Sequence, residues 1–230
     1  MFWFLIVGGW LICCVFIFLF FYGAGKNGLK DRQIEDLYDS MTKEERDYGF
    51  DIWSSVVITD MTDVNSINLK IYFAHFLKSL PMSILRSFLL NDYKIVIVDE
   101  LNGEKYRLDL QEKKLYILNS EMNPSCFSLN RGFAKYVYEN RELDRDINLV
   151  NCFDMECDKV KDFYFSDSAS NGIEESAEKF FIELFVLYQV GYFKYCEDKK
   201  EVVKQSYYYI EKLYNKIMSC ERIDSIHLAF

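Results

Sequence analysis

The stretch EESAEKFFIELFVLY, residues 174–188, sets Lys179 and Glu183 in a run that is almost wholly apolar from Phe180 onward. Successive helical residues turn by about 100°, which puts Lys179, Glu183 and Val186 on one strip and Phe181, Leu184, Phe185 and Tyr188 on another. A helix that is apolar on every side is normally buried. A carboxylate in its middle needs a partner, because breaking a buried ion pair costs about 3–5 kcal/mol. Lys179 is one helical turn from Glu183, so the two can pair directly.

Few other residues have types and spacings that suit chemistry. Cys152 and Cys157, in NCFDMECD, offer two thiols among acidic side chains, which suits a soft metal. A zinc site takes about four ligands, however, and no second paired set follows; the segment reads as a loop. His75 stands alone on a predicted helix, the other histidine being His227 near the C-terminus, and a structural or surface role is expected of it. No serine or cysteine has a base that the sequence identifies as its neighbour, and no glycine-rich phosphate loop follows a strand. Tyr207, Tyr208, Tyr209, Leu213 and Tyr214 mark one aromatic face of a helix, expected to be core.

The elements that must position these residues follow from periodicity. Thr42 with Glu45 three residues on signals a capping box and a short helix through TKEERDYG. Residues 64–77 carry helical spacing, and Pro81 stands where a further helix can begin. YKIVIVDE, KYRLDL and LYIL read as three strands joined by the turns LNGE and EKK. Helical patterns return at GFAKYVYENREL, in the opening stretch and at SYYYIEKLYNKIM. Strands and helices fall in separate blocks, which predicts an α+β fold with a small hairpin-rich sheet.

Composition narrows the function classes. Half of the 230 residues are hydrophobic and 17% are aromatic, enough for one domain with a sizeable core. A net charge of −9 argues against nucleic acid as a partner. The first 22 residues, MFWFLIVGGWLICCVFIFLFFY, carry no charge, and about 20 apolar residues suffice to cross a bilayer as a helix. A cleaved signal peptide would carry its basic residues before the apolar run, whereas Lys26, Lys30 and Arg32 follow it. The expectation is a single-pass membrane anchor at 1–22, a juxtamembrane segment with N-terminal elements at 23–63, and a domain at 64–230. The basic residues place that domain on the cytoplasmic side, and the odd, irregular cysteine set fits reduced thiols.

The ordered series from LP–IL through KIVIVD, LYIL and KFFIELF to YYYIEKLY resembles the catalytic domain of anthrax toxin lethal factor. It is also similar to the Pro-Pro endopeptidases that share that domain. KFFIELF resembles the family's Glu-Phe-Phe-Ala-Glu-x-Phe helix. The resemblance spans about Ile67 to Ile217 and implies a zincin-like fold, with zinc between that helix and one bearing His-Glu-x-x-His. In such a motif two histidines ligate and the glutamate acts as general base. Laid on this chain, Ala134 and Tyr138 stand at the two histidines, Lys135 at the base and Lys179 at the third ligand. Only Glu183, an outer-shell position, keeps the family's residue. Tyr164, in DFYFSD, stands nearest to the family's oxyanion tyrosine.

The mapping therefore implies a lost zinc motif, with no catalytic residue, metal or cofactor retained. Lys179 and Lys135 would supply the positive charge, with Glu183 as their counter-ion. The expected function is that of a membrane-anchored, catalytically inactive metallopeptidase-like domain, a pseudoenzyme that binds a polypeptide or a partner protein. Two alternatives stand beside it: an active zinc endopeptidase with displaced ligands from His75 or the Cys152/Cys157 segment, and a membrane-tethered structural subunit.

Overall fold

In the computed structural model the described residues are 32–59, 63–123, 125–163 and 175–227. After a first helix, α1 (32–39), Thr42 caps α2 (Lys43–Val56). The Thr42 hydroxyl accepts from the Glu45 amide, and the Glu45 carboxylate accepts from the Thr42 amide at 2.8 Å. Both halves of the expected capping box are thus present, and the helix runs well past the predicted segment. It packs on α3 (Asp63–Leu77), where Gly49 meets Ala74 so closely that a Cβ on Gly49 would lie 2.4 Å from the Ala74 Cβ. Pro81 begins α4 (Met82–Leu90), as expected.

The sheet departs from the expected three-stranded arrangement. Among the described residues it has four strands, β1 (Val57–Ile58), β2 (Lys94–Val98), β3 (Tyr106–Asp109) and β4 (Lys114–Leu118), in the order β1-β2-β4-β3. β2 runs parallel to both β1 and β4, and only β3 and β4 form an antiparallel hairpin. The LNGE turn reverses the chain, with Asn102 and Gly103 both at positive φ. Its two flanking strands are nonetheless separated by β4. Alternation explains this: β2 and β4 share one burial pattern, with Ile95, Ile97, Leu115 and Ile117 buried on the same face, so the two apolar rows align side by side. β3 is left at the edge.

Four longer helices complete the domain: α5 (Phe127–Asn140), α6 (Ile147–Lys161), α7 (Ala177–Gln189) and α10 (Lys204–His227), with the short α8 (Tyr192–Tyr195) and α9 (Glu197–Val202) leading into the last. Cys152 and Cys157 lie on α6, which corrects the expected loop. Asp146 caps this helix by accepting from the Asn148 amide, and Leu149, Cys152, Glu156 and Val160 give it a buried face. The buried Glu156 carboxylate in turn accepts from the Gln205 and Ser206 amides and from the Ser206 hydroxyl, closing the free N–H groups at the start of α10. On α10, Tyr207, Tyr209, Leu213 and Tyr214 pack against the core as expected, while Tyr208 is exposed.

Among the described residues no helix is long and apolar enough to cross a membrane. α3 is apolar but has 15 residues, roughly 22 Å against a hydrocarbon core of about 30 Å. α10 is long enough, but its KQSYYYIEKLYNKIMSCERIDSIH sequence is charged throughout. The anchor expected at 1–22 lies outside the described residues. The single-pass membrane architecture and cytoplasmic placement are corrected on this finding: the described fold is α+β with a small mixed sheet.

α5 crosses β3 and β4 at close range through Gly132. A Cβ there would lie 2.6 and 2.8 Å from the two methyl carbons of Leu115, a side chain that is itself fully buried. Replacing a mid-helix glycine by alanine gains about 1 kcal/mol of helix propensity, but overpacking a closed core costs about 1–3 kcal/mol. Gly132→Ala is therefore expected to lower stability in denaturant melts. Adding Leu115→Val should recover part of the loss, since the two sites share one contact.

Candidate functional site

The residues singled out for chemistry meet where α5 packs along α7. α7 begins at Ser176, whose hydroxyl accepts from the Lys179 amide, and every residue from Phe180 to Leu187 is buried. Glu183 is buried among them, as the sequence required, but its partner is Arg131. Arg131 Nε donates to Glu183 Oε1 at 2.6 Å and Nη2 donates to Oε2 at 2.9 Å. Both side chains are largely enclosed, 15% and 11% exposed. The planar guanidinium fork matches both carboxylate oxygens, a geometry that an ammonium cannot offer.

The lysines do something else. Lys135 Nζ donates to Glu178 Oε1 at 2.7 Å, at the half-buried margin of the same helix pair. Lys179 pairs with Glu175, one turn back on its own side of α7, and its side chain is 49% exposed. The expectation that Glu183 neutralises Lys179 and Lys135 is corrected accordingly. The first turn of α7 faces solvent, where Lys179 stays hydrated, while Glu183 lies a turn deeper. Arg131 pairs with Glu183 and Lys135 with Glu178, so the two helices run in opposite directions at this contact.

The remaining mapped positions fall as follows. Ala134 is fully enclosed. Tyr138 is buried with its ring 5.7 Å from that of Phe181, and burial pushes its phenol pKa up. Tyr164 lies outside the described residues. Tyr106, on the edge strand β3, was missed by the sequence reading. Burial and the nearby Glu183 carboxylate push its phenol pKa up, Arg131 opposing, so its hydroxyl stays protonated beside the ion pair. The alternation of YRLD was the available signal for it, since Tyr106 and Leu108 share the face turned to α5.

The fit to a zinc ion is poor. An alanine methyl has no donor, Lys135 and Lys179 are cations already paired with carboxylates, and Glu183 is engaged by Arg131. Among the described residues no three or more His, Cys, Asp or Glu side chains are grouped to hold a metal. The alternative ligands are not brought together. His75 is on α3. Cys152 is on α6 with its thiol pushed up to about 11 by burial and by Glu156. Cys157, five residues on, is about 140° around the helix from Cys152.

No family model matches the sequence, and no curated protein matches it. Among solved structures, the chain is similar to a Pro-Pro endopeptidase from Paenibacillus alvei, with 16% identity and a TM-score of 0.48, covering 70% of this chain and 99% of that one. The likeness is a distant one of fold, and no residue role passes through it. What the geometry itself defines is an α+β domain with a charge-compensated helix seam beside an edge strand.

Removing one member of the enclosed pair strands the other charge. Glu183→Gln and Arg131→Met are each expected to cost about 3–5 kcal/mol in denaturant melts. Arg131→Met combined with Glu183→Leu should cost less than their sum. Lys179→Met should stay within about 0.5 kcal/mol of the parent, as befits a pair at the solvent boundary.

Proposed function

We propose that this chain is a non-catalytic, peptidase-like domain that works by binding an extended polypeptide along β3. The observation that carries the reading is the place of β3 at the edge of the sheet, among the described residues, beside the helix seam. The Leu118 amide donates to the Lys105 carbonyl, which makes 105/118 a hydrogen-bonded pair. The antiparallel register then alternates: Arg107 and Asp109 turn their backbone groups to β4, and Tyr106 and Leu108 turn theirs outward. An outward N–H and C=O row is a template for adding a strand.

The seam supports the non-catalytic part. Arg131 with Glu183 and Lys135 with Glu178 join α5 to α7, and among the described residues no group of three or more His, Cys, Asp or Glu is placed to hold a metal. Sequence resemblance of KFFIELF to the lethal-factor-type helix, with altered residues at Ala134, Lys135, Tyr138 and Lys179, points the same way.

The test uses the full chain. After equilibration with zinc and dialysis it is expected to hold far less than one zinc per chain and to leave proline-rich peptides uncut. On an array of random decapeptides it should select members that slow amide hydrogen exchange at Tyr106 and Leu108 and leave Arg107 unchanged. Stoichiometric zinc with peptide cleavage would overturn the non-catalytic reading. Unaltered exchange at Tyr106 and Leu108 with the selected peptides would overturn the binding mode.

A further inference from the structure

A cavity of about 450 Å³ opens between the first turns of α6 and the N-terminal half of α10, apart from β3 and the ion-paired seam. Asp146, Asn148 and Asn151 border it on one side. Gln205, Tyr208, Lys212 and Lys216 border it on the other. These four are spaced three or four residues apart, so they form one stripe along α10. The deeper groups are already engaged. Tyr209 donates to Asp146 Oδ2 at 3.1 Å, and Asp146 Oδ1 accepts from the amide and the carboxamide of Asn148. Burial and Glu156 push the buried Cys152 thiol up to about 11, which leaves it unreactive.

The α10 stripe is not engaged in this way. Lys212 and Lys216 are exposed, and among the described residues neither ammonium makes an ion pair or a hydrogen bond. Like charges one helical turn apart repel. The chain has 36 acidic side chains against 27 basic ones, yet Asp146, the acidic residue on this wall, is answered by Tyr209 and Asn148 instead. The side-chain amides of Asn151 and Gln205 are exposed and make no hydrogen bond among the described residues. Tyr208 is the ring of the expected aromatic face that the core does not take, and it is 54% exposed.

We propose that this cavity binds a small phosphomonoester with a hydroxylated body, a sugar phosphate by chemical class. Two uncompensated ammonium groups one turn apart match a group bearing nearly two negative charges. A phosphomonoester carries about −1.5 to −2 at pH 7, whereas a carboxylate carries one. Lysine binds phosphate as a point charge and needs no planar fork to do so. A primary amide holds donors and an acceptor side by side, which answers a hydroxyl, itself both donor and acceptor. The Tyr208 ring supplies a face against which the C–H side of a pyranose packs. A nucleobase is held by stacking between aromatic or apolar side chains, and Tyr208 is the exposed ring on this wall with amides around it. The volume lies within the range of about 300–1,000 Å³ for small-molecule sites.

Glucose 6-phosphate is the probe, with glucose, inorganic phosphate and adenosine monophosphate beside it, each titrated into the full chain by calorimetry at two temperatures. Glucose 6-phosphate is expected to bind at least roughly tenfold tighter than each of the other three. Lys212→Met and Lys216→Met should each weaken it by roughly tenfold. Tyr208→Ala should weaken glucose 6-phosphate and leave inorganic phosphate unchanged. All three positions are exposed, so unaltered denaturant midpoints separate lost binding from lost folding. Absence of binding by all four compounds overturns the proposal. So does inorganic phosphate that binds as tightly as the sugar phosphate, the mark of an adventitious ion only. Tighter binding of adenosine monophosphate overturns the hydroxylated body, and binding that survives Lys212→Met combined with Lys216→Met overturns the site.

Discussion

The fold turns on how a carboxylate is kept in an apolar helix. α7 is enclosed for eight consecutive residues, Phe180 to Leu187, and Glu183 is one of them. Removing that charge from water is tolerable only if another element brings a cation with matching geometry. Arg131 does so from α5 with two hydrogen bonds, and it stands next to Gly132, the point where α5 touches Leu115 on β4. The pair therefore fixes more than two side chains. It sets the register of α5 against α7, and with it the height of α5 over the sheet and the place of Tyr106 beside the pair.

Along the seam the charges are graded by access to water. Arg131 and Glu183 are enclosed, Lys135 and Glu178 sit at the margin, and Lys179 and Glu175 are in solvent. Coulomb attraction strengthens as the local dielectric falls, so the innermost pair carries most of the electrostatic coupling and the outermost little. A seam so compensated needs no bridging cation to hold its helices together. Glu183, Glu178 and Glu175 are each engaged by a cation along it.

Local signals were legible in the sequence because their causes are local. Thr42 and Glu45 are three residues apart, and the capping box formed between them. The periodicity of 178–188 required a buried Glu183, and the residue is buried. Its partner was not legible. Arg131 lies 52 positions away, and the one-turn rule favoured Lys179, which Ser176 instead caps into the solvent-facing first turn. The parallel pairing of β2 with β4 was hidden for the same reason, since LNGE signals a turn but not which strand lies beside it. Nor did anything local reveal that Glu156 would cap α10, because that carboxylate works across 50 positions.

Buried polar groups elsewhere in the fold are met in the same way. Glu156 is met by Ser206, Glu183 by Arg131, and Ser128 by Glu121. The buried Tyr136 hydroxyl is met by Ser87 and Asn91. An unmet buried polar group costs about 1–3 kcal/mol, and a fold that avoids the cost at each of these places has the means to avoid it elsewhere, by a leucine or an alanine if nothing else. Asn130, His75 and Gln189, on three different helices, are the exceptions among the described residues.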